Sequence, residues 1–358
     1  MKFQNNKYLK HTTYSLQLKE YFLRLFCGVR LIKLTACRLR HTAYGLLLTA
    51  GVVVIFGVGL LSAGGTRGKK SALLIARRVS PGQYKRSVND MTITFIDVGQ
   101  GNSVLVEAPS GIIMLYDAGG NPEWLKSDWD PGMAIISPLL DKKMISRIDY
   151  MVMSHAHGDH IGGLPSLVDN YEVKQFYDPG YPYTTMNYQS LLEKVKEKKA
   201  GYDIIMAGSG DKFNFGPGIK AAVFSPPKIG YFTGTNSDCN NSSILLKITY
   251  KNVSILLTGD IEEKAELYSA GKYGEELTSN IMQVPHHGSS TSSTRAFLEK
   301  VLPEVAVIPV GKNNTFGHPT PEALSNIEKI GAEIFRTDYD GNVVVYTNGE
   351  TFMVETER

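Results

Sequence analysis

The chain has 358 residues, of which 42% are hydrophobic and 20% are charged, and it contains no low-complexity tract and no short repeat. These values exclude a disordered chain and a fibrous or repeat protein, and they allow one large domain or two average ones. The three cysteines are too few for a disulfide framework.

The net charge of +3 is unevenly distributed along the chain. Residues 1–42 hold nine Lys or Arg side chains and one Glu, a net charge of +8, which leaves −5 for residues 43–358. The larger part of the chain is therefore mildly acidic, whereas a nucleic-acid-binding domain usually carries a basic surface of its own.

Tyr44–Ala63 contains no charged residue over 20 positions, which is the length that a helix needs to cross a membrane. The positive charge before this segment predicts a cytoplasmic N-terminus and an extracellular remainder. A cleaved signal peptide is the alternative, but its basic region would be unusually long. We therefore predict a basic cytoplasmic leader at 1–42, a single-pass transmembrane signal anchor at 43–63 and a linker at 64–90.

Residues 91–358 alternate between short β-branched runs and helical segments. The predicted strands are Met91–Ile96, Ser103–Glu107, Ile112–Tyr116, Tyr150–Met153, Ser243–Tyr250, Val253–Thr258, Val305–Val310, Ile334–Arg336, Val343–Tyr346 and Phe352–Val354. The predicted helices are Tyr188–Lys198, Ile261–Ser269, Thr294–Lys300 and Pro321–Ile330. This pattern predicts one layered α/β domain with mixed sheets.

Six of the eight histidines follow predicted strands or lie in loops that contain Gly or Pro. The first three, His155, His157 and His160, follow a predicted strand directly, together with Asp159. Because side chains alternate along an extended chain, His155 and His157 can point the same way. Neutral imidazoles with a carboxylate suit Zn²⁺ or a similar first-row ion. The segment therefore predicts a metal site.

The spacing HxHxDH resembles the signature of the metallo-β-lactamase superfamily. The resemblance implies a four-layer αββα sandwich, here preceded by one transmembrane helix, and a set of residues for two metal ions. The matched positions are Asp117 as the aspartate that braces the ligand loop, His155, His157, Asp159 and His160 as ligands, Asp260 as the bridging ligand, and His286 as the late ligand, with His287 as the less favoured choice.

Four further motifs narrow the resemblance to the β-lactamase-like domain of ComEC-type DNA-uptake proteins and their free-standing relatives. They are FIDVGQGNS at 95–103, TGDIE at 258–262, PHHGS at 285–289 and RTDYDG at 336–341. The resemblance covers about 91–348. It includes no channel, because only one membrane span is predicted.

Two positions depart from the family pattern. Asn102 stands where the subfamily usually has Asp, and the superfamily's third-motif histidine is absent. Asp238, Cys239 or Asn240 could take the place of that histidine. The group around Asp159 and His160 is therefore complete, whereas the group around His155 and His157 lacks a ligand. We expect two divalent ions, Zn²⁺ with Mn²⁺ as the alternative, or else one tightly held ion and one labile ion.

The resemblance implies a hydrolase in which metal ions activate a water that attacks phosphorus or a carbonyl carbon. Asp159 could orient this nucleophile, and His318 could donate a proton to the leaving oxygen or cap a loop. Ser289 and Ser290 could bind a phosphate, or they could cap the helix that follows.

We expect a membrane-anchored phosphodiesterase that acts on DNA outside the cell. The alternatives are an enzyme for a cell-envelope substituent such as phosphorylcholine, a lactone or thioester hydrolase, and a degenerate metal-binding receptor domain. The expected partners are the membrane and DNA or another phosphodiester, and the sequence indicates no protein partner. Four tyrosines after the first metal motif could stack on bases, surround a quaternary ammonium group or pack within a loop, namely Tyr171, Tyr177, Tyr181 and Tyr183.

Overall fold

The computed structural model describes residues 77–79, 85–121, 129–198 and 204–358. The chain divides after Lys69 into two units, and all of these residues belong to the second. The predicted leader, the signal anchor and most of the linker lie outside the described residues. Within the described ranges, no helix is both long enough and apolar enough to cross a membrane.

The described residues form sixteen strands and nine helices that are used below. The strands are β1 (Arg77–Val79), β2 (Met91–Phe95), β3 (Val104–Glu107), β4 (Ile113–Tyr116), β5 (Arg147–Val152), β6 (Glu172–Asp178), β7 (Ile204–Met206), β8 (Lys212–Phe213), β9 (Ile219–Ser225), β10 (Leu245–Tyr250), β11 (Val253–Leu257), β12 (Ile281–Gln283), β13 (Val305–Ile308), β14 (Glu333–Arg336), β15 (Val343–Thr347) and β16 (Phe352–Thr356). The helices are α1 (Ser137–Lys142), α2 (Gly158–Ile161), α3 (Leu164–Asn170), α4 (Met186–Glu197), α5 (Asp238–Asn241), α6 (Glu263–Tyr273), α7 (Arg295–Val301), α8 (Pro321–Lys329) and α9 (Thr337–Asp340).

The strands form two mixed sheets. The first has the order β1-β16-β15-β2-β3-β4-β5-β6-β7, and the second has the order β14-β13-β12-β11-β10-β9-β8. In the first sheet β4, β5, β6 and β7 are parallel neighbours. In the second, β11, β12, β13 and β14 are parallel neighbours. Each sheet thus joins an antiparallel part to a parallel part, as the prediction of mixed sheets requires.

Three hydrophobic cores separate four layers. The first core lies between the sheets and contains inward side chains from both, such as Phe95 from the first sheet and Ile248 from the second. The second packs α3 and α4 against the first sheet, and the third packs α6 and α7 against the second sheet. The fold is therefore a mixed α/β sandwich of two facing sheets with helices outside them. This part of the predicted fold is confirmed.

The burial pattern of each strand depends on whether one or both of its faces are covered by another layer. β15 alternates between buried and partly exposed residues, because one of its faces packs on the inter-sheet core. β2 and β11 are buried at every position, since they lie inside their sheets with a layer on each face. The predicted strands and helices all occur, with ends shifted by a few residues. β1 lies within the segment predicted as a linker and pairs with β16.

Close backbone packing at two glycines brings the loops after β2 and β4 against the segment after β5. A Cβ atom at Gly120 would lie 2.0 Å from the carbonyl oxygen of Gly158, and one at Gly101 would lie 2.3 Å from that of Asp159. Both glycines also have a positive φ, which a residue with a side chain rarely adopts. Only glycine therefore lets these loops hold the histidine-rich segment at so short a distance.

Candidate metal centre

The predicted metal ligands gather where parallel strands of both sheets end. Asp117 follows β4, and His155 to His160 follow β5, its parallel neighbour. Asp260 follows β11, and His287 follows the parallel β12. Because the carboxyl ends of parallel strands meet at one edge of a sheet, the two sheets bring these side chains to a common edge of the sandwich.

The first donor group comprises His155, His157 and Asp260. The Nε2 atom of His155 lies 3.0 Å from Nδ1 of His157 and 3.9 Å from Oδ2 of Asp260. His155 is buried, and its Nδ1 lies 3.0 Å from the hydroxyl of Ser154. The two imidazoles therefore present different ring nitrogens to each other, and His157 lies beside the compact group that His155, His160 and Asp260 form among the described residues.

The second donor group comprises Asp159, His160 and His287, whose ligand atoms all lie within 4.8 Å of one another. Oδ2 of Asp260 lies 3.2 Å from Nε2 of His160 and 3.5 Å from Nε2 of His287. His160, Asp260 and His155 also lie within 4.8 Å of one another. Asp260 therefore stands between the two groups, where a bridging carboxylate would be expected.

Neighbouring acceptors fix the orientation of two of these imidazoles. Nδ1 of His287 lies 2.7 Å from the carbonyl oxygen of Pro309, which can only accept a hydrogen bond. Nδ1 of His160 likewise lies 2.7 Å from Oδ2 of Asp117. Each Nδ1 therefore carries the hydrogen, and the lone pair of each Nε2 is directed towards Asp260.

The polar atoms at the centre of the cluster fit a divalent cation. Nε2 of His160, Nε2 of His287 and Oδ1 of Asp260 are buried and make no hydrogen bond to any described residue. Buried polar atoms without partners are rare, because each of them costs free energy of desolvation. Imidazole nitrogens and carboxylate oxygens are the donors that Zn²⁺ binds. The residues present therefore form a candidate metal site.

Two members of the cluster, Asp260 and His155, have pKa shifts that agree with this assignment. Burial alone would raise the pKa of Asp260, but the imidazoles of His160, His287 and His286 lower it well below its usual range. Burial and the neighbouring His160 and His157 lower the pKa of His155 well below its usual range. The carboxylate is thus ionised and His155 is neutral, which are the forms that bind a metal.

His286 lies beside the compact donor groups and contacts Glu262. Its Nδ1 lies 3.1 Å from Oε1 of Glu262, and its Nε2 lies 3.9 Å from Oδ2 of Asp260. The side chain is 23% exposed, whereas that of His287 is 3% exposed. The sequence ranked His286 ahead of His287 as the late ligand, but the structure places His287 in the compact donor group and His286 beside it.

Of the three candidates for the missing third-motif ligand, Asp238 and Cys239 are otherwise engaged, whereas Asn240 keeps an unpaired oxygen. The carboxylate of Asp238 accepts hydrogen bonds from the backbone N–H groups of Gly234 and Thr235 at 2.9 and 2.7 Å. Cys239 is buried in the core between the first sheet and its helices. Asn240 donates from Nδ2 to Oε1 of Glu262 at 2.9 Å, while its Oδ1 is buried and makes no hydrogen bond to any described residue. Neither Asp238 nor Cys239 belongs to a compact donor group among the described residues.

His318 lies at the rim of the site. Its ring centroid is 5.7 Å from that of His286, and it stacks on Phe316 at 5.8 Å. Burial, with the nearby His286 and His287, lowers the pKa of His318 to about 4. The imidazole is therefore neutral at physiological pH and can donate a hydrogen bond only through its own N–H group.

The predicted phosphate-binding serines lie in the turn after His287. The hydroxyl of Ser289 is 3.0 Å from that of Thr291 and accepts the Thr291 backbone N–H at 3.3 Å, while Ser290 is exposed. The residue that caps α7 is Thr294, whose hydroxyl accepts the N–H of Phe297. Thr294 therefore caps α7, and Ser289 and Ser290 do not.

The loop that carries His287 is strained and is held by a buried carboxylate. His286 and His287 both have left-handed backbone angles, with φ of 49° and 53°, which are uncommon for residues other than glycine. Glu266 on α6 accepts hydrogen bonds from the backbone N–H groups of Ser293 and Thr294 at 2.6 and 2.8 Å. The sequence analysis missed both Glu266 and Glu262, although Glu262 lies within the TGDIE motif.

The buried position of Glu266 predicts a pH-dependent stability. Burial raises the pKa of Glu266 from 4.5 to about 7, so the folded protein holds a proton that the unfolded chain releases between these values. The bound proton therefore adds about 3 kcal/mol to the free energy of unfolding. This stabilisation is complete below pH 4.5 and is lost as the pH rises through 7. We expect Glu266→Gln to lose less free energy of unfolding between pH 5 and 8 than the parent. Urea unfolding at several pH values measures this, and equal pH slopes for both proteins would contradict it.

These features define a candidate metal centre at the edge of a two-sheet α/β sandwich. Residues 96–312, more than half of the chain, match the family model described as the metallo-beta-lactamase superfamily. The chain therefore belongs to the metallo-β-lactamase superfamily, as its HxHxDH segment predicts.

Two curated relatives and one solved structure give the level of similarity. The chain is 26% identical over 260 residues to ComE operon protein 3 of Bacillus subtilis, an alignment that covers 70% of this chain and 32% of the relative. It is 28% identical over 271 residues to Competence protein ComA of Neisseria gonorrhoeae, covering 76% and 34%. Igni18, a metallo hydrolase of Ignicoccus hospitalis, is 16% identical with a TM-score of 0.42, covering 71% and 98%. The chain thus matches about a third of the length of these two curated relatives.

Proposed function

We propose that this chain is a metal-dependent phosphodiesterase whose substrate is DNA. The observation that carries the proposal is the convergence of buried, unpaired donor atoms of His160, His287 and Asp260 at one edge of the sandwich. The relative named Competence protein ComA supports a nucleic-acid substrate. Because the chain matches only about a third of its length, the activity of that whole protein does not transfer with the match.

The proposed ligand set divides between two Zn²⁺ sites that share Asp260. His155 and His157 complete one site, and Asp159, His160 and His287 complete the other. When bound, the ions lower the pKa of a water molecule and stabilise negative charge that develops on a phosphate. The absence of a third-motif ligand predicts that the His155 site holds its ion less tightly.

The surrounding residues of the chain bind and orient the phosphate. Glu262 accepts a hydrogen bond from Nδ1 of His286 and so directs the opposite ring nitrogen towards the centre. Burial alone would lower the pKa of His286, but the carboxylates of Asp260 and Glu262 raise it, which favours an anion at the exposed side of this ring. His318 lies on the same side, and its neutral ring donates a hydrogen bond to the phosphate.

The N-terminal prediction completes the proposal. The apolar segment 44–63 anchors the chain in the membrane, and the charge before it places the catalytic domain outside the cell. Its mildly acidic charge means that this domain does not hold DNA through a broad basic surface.

The test is a panel of substrates with the full chain purified in detergent and its metal content measured. The panel contains single- and double-stranded DNA, bis(p-nitrophenyl) phosphate, p-nitrophenyl phosphorylcholine and a lactone. We expect Zn²⁺- or Mn²⁺-dependent cleavage of DNA and of the first ester, and loss of both in Asp159→Ala. Cleavage of only the phosphorylcholine ester or only the lactone would overturn the DNA assignment. Hydrolysis of ester added to intact expressing cells tests the external location.

A further inference from the structure

Three tyrosines from two loops form a continuous row of ring contacts that ends at the metal centre. The ring of Tyr231 meets that of Tyr181 edge to face with centroids 5.1 Å apart, and Tyr181 lies 6.5 Å from Tyr183. Tyr183 in turn meets the ring of His157 at 5.4 Å. We call Tyr181, Tyr183 and Tyr231 the aromatic row. It leads from a predicted metal ligand outwards to Tyr231, which is 40% exposed.

The structure separates this row from the other tyrosines of the same region. Tyr177 is buried in the core between the two sheets. Tyr171 donates its hydroxyl to the side chain of Asp141 at 2.8 Å and packs beside α1. Packing and the bond to Asp141 therefore account for these two residues. Tyr181 and Tyr183 are also half-buried against the core beside the first sheet, but Tyr183 in addition meets the ring of His157.

The loop that carries the row is held in place by a buried carboxylate. Asp178, at the end of β6, accepts hydrogen bonds from the backbone N–H of Gly180 at 2.6 Å and from the hydroxyl of Tyr188 at 2.7 Å. The ring of Tyr188 also supports Tyr183, with centroids 6.4 Å apart. The aromatic row is therefore organised without a ligand, which lowers the entropic cost of binding to it.

We infer that the aromatic row is a substrate subsite on which planar bases of a nucleic-acid strand stack while the adjoining phosphate lies at the metal centre. This inference rests on the proposed phosphodiesterase function. Stacking on aromatic side chains tolerates any sequence, because every base has a π-face. A row of rings that ends beside the reacting position suits a polymer that carries one base per phosphate.

The ring geometry favours bases over a quaternary ammonium group. A cation box needs several ring faces around one point. Here Tyr181 and Tyr231 meet edge to face, at 79° and 5.1 Å, so these two rings do not form facing walls of such a box. The net charge of −5 over residues 43–358 also fits a subsite that works by stacking more than by neutralising phosphates.

The test compares two esters with the same leaving group, thymidine 5′-(p-nitrophenyl phosphate) and methyl p-nitrophenyl phosphate. In Tyr183→Ala we expect the ratio of kcat/KM for the first ester to that for the second to fall about 10-fold, the effect typical of one lost base-stacking contact. Tyr183→Phe should keep the ratio. Tyr339→Ala, which removes an exposed tyrosine outside the row, should leave both rates at the parent values.

Several results separate this inference from the proposed function. If the parent protein hydrolyses neither ester with metal bound, the phosphodiesterase proposal fails. In that case the affinity of the full chain for thymidylyl-thymidine, measured by calorimetry, still tests the aromatic row. The inference requires that Tyr183→Ala binds this dinucleotide about 10-fold more weakly than the parent does. An unchanged ratio, an equal loss for both esters, or a selective loss for p-nitrophenyl phosphorylcholine would overturn the base-stacking inference. Metal content measured in each variant shows whether His157 still binds.

Discussion

Replacing His287 with Ala is expected to remove bound metal and to lower phosphodiester hydrolysis at least about 100-fold, whereas His286→Ala keeps metal occupancy near that of the parent. The reason is the direction of the two rings. Pro309 accepts the hydrogen of Nδ1 in His287, so Nε2 faces Asp159 and Asp260 at 3.5 Å. Even residues that only support a metal ligand change affinity by about 10- to 100-fold when they are replaced, so a ligand should change it by at least as much.

His286 and His287 make a matched pair, because they are adjacent and have the same left-handed backbone. Zinc content after dialysis and competition with a chromophoric chelator measure occupancy independently of turnover. In His286→Ala we expect slower hydrolysis with a normal zinc content, since Glu262 holds this ring towards the proposed phosphate position. If His286→Ala lost the metal and His287→Ala kept it, the ligand order predicted from the sequence would be correct and our assignment wrong.

The sequence predicts the centre well where local geometry is regular. His155 and His157 follow an extended strand, so the alternation of side chains places them together, and the structure brings their ring nitrogens within 3.0 Å. Asp260 likewise follows a strand, and the parallel pairing of β11 with β12 sets it at the same edge as His287. The positions of His155, His157 and Asp260 depend on β5 and β11, and hydrophobic patterns identify both of these strands.

The order of the two late histidines could not be predicted in the same way. His286 and His287 both have a positive φ, so neither strand alternation nor helical spacing describes where their side chains point. The choice between them depends on the carbonyl of Pro309, 22 positions along the chain from His287. Such a contact is set by tertiary packing and leaves no local signal in the sequence.

Two strands that were not predicted, β6 and β12, are a charged strand and a very short one. β6 reads EVKQFYD and contains three charged residues, and β12 has only three residues. β5 begins at Arg147, before the predicted start, because the carboxylate of Asp149 within it is paired with Arg147 and also accepts the backbone N–H of Ile113. Tertiary partners stabilise these charged positions in a sheet, and a single-sequence pattern does not show those partners.

Asp117→Asn is expected to weaken Zn²⁺ binding by about 10- to 100-fold, although Asp117 belongs to neither donor group. Its buried carboxylate accepts three hydrogen bonds, from Ser154 N at 2.7 Å, from Nδ1 of His160 at 2.7 Å and from Nδ2 of Asn102 at 2.8 Å. The amide of Asp117→Asn has an N–H group where the carboxylate has an oxygen, and this N–H group faces one of these three donors. If His160 moves its hydrogen to Nε2 to relieve the conflict, the nitrogen that faces Asp260 can no longer bind a metal.

Asn102→Ala is the control for this variant, because it removes one donor to Asp117 and leaves the contact between Asp117 and His160 intact. We expect it to bind zinc more tightly than Asp117→Asn does. The free energy of unfolding of the metal-free protein should also fall by about 1–3 kcal/mol in Asp117→Asn, since a buried donor is left opposed to another donor. Chelator competition and urea unfolding measure the two effects. Parent-like zinc affinity in Asp117→Asn would mean that the orientation of His160 is set by packing alone.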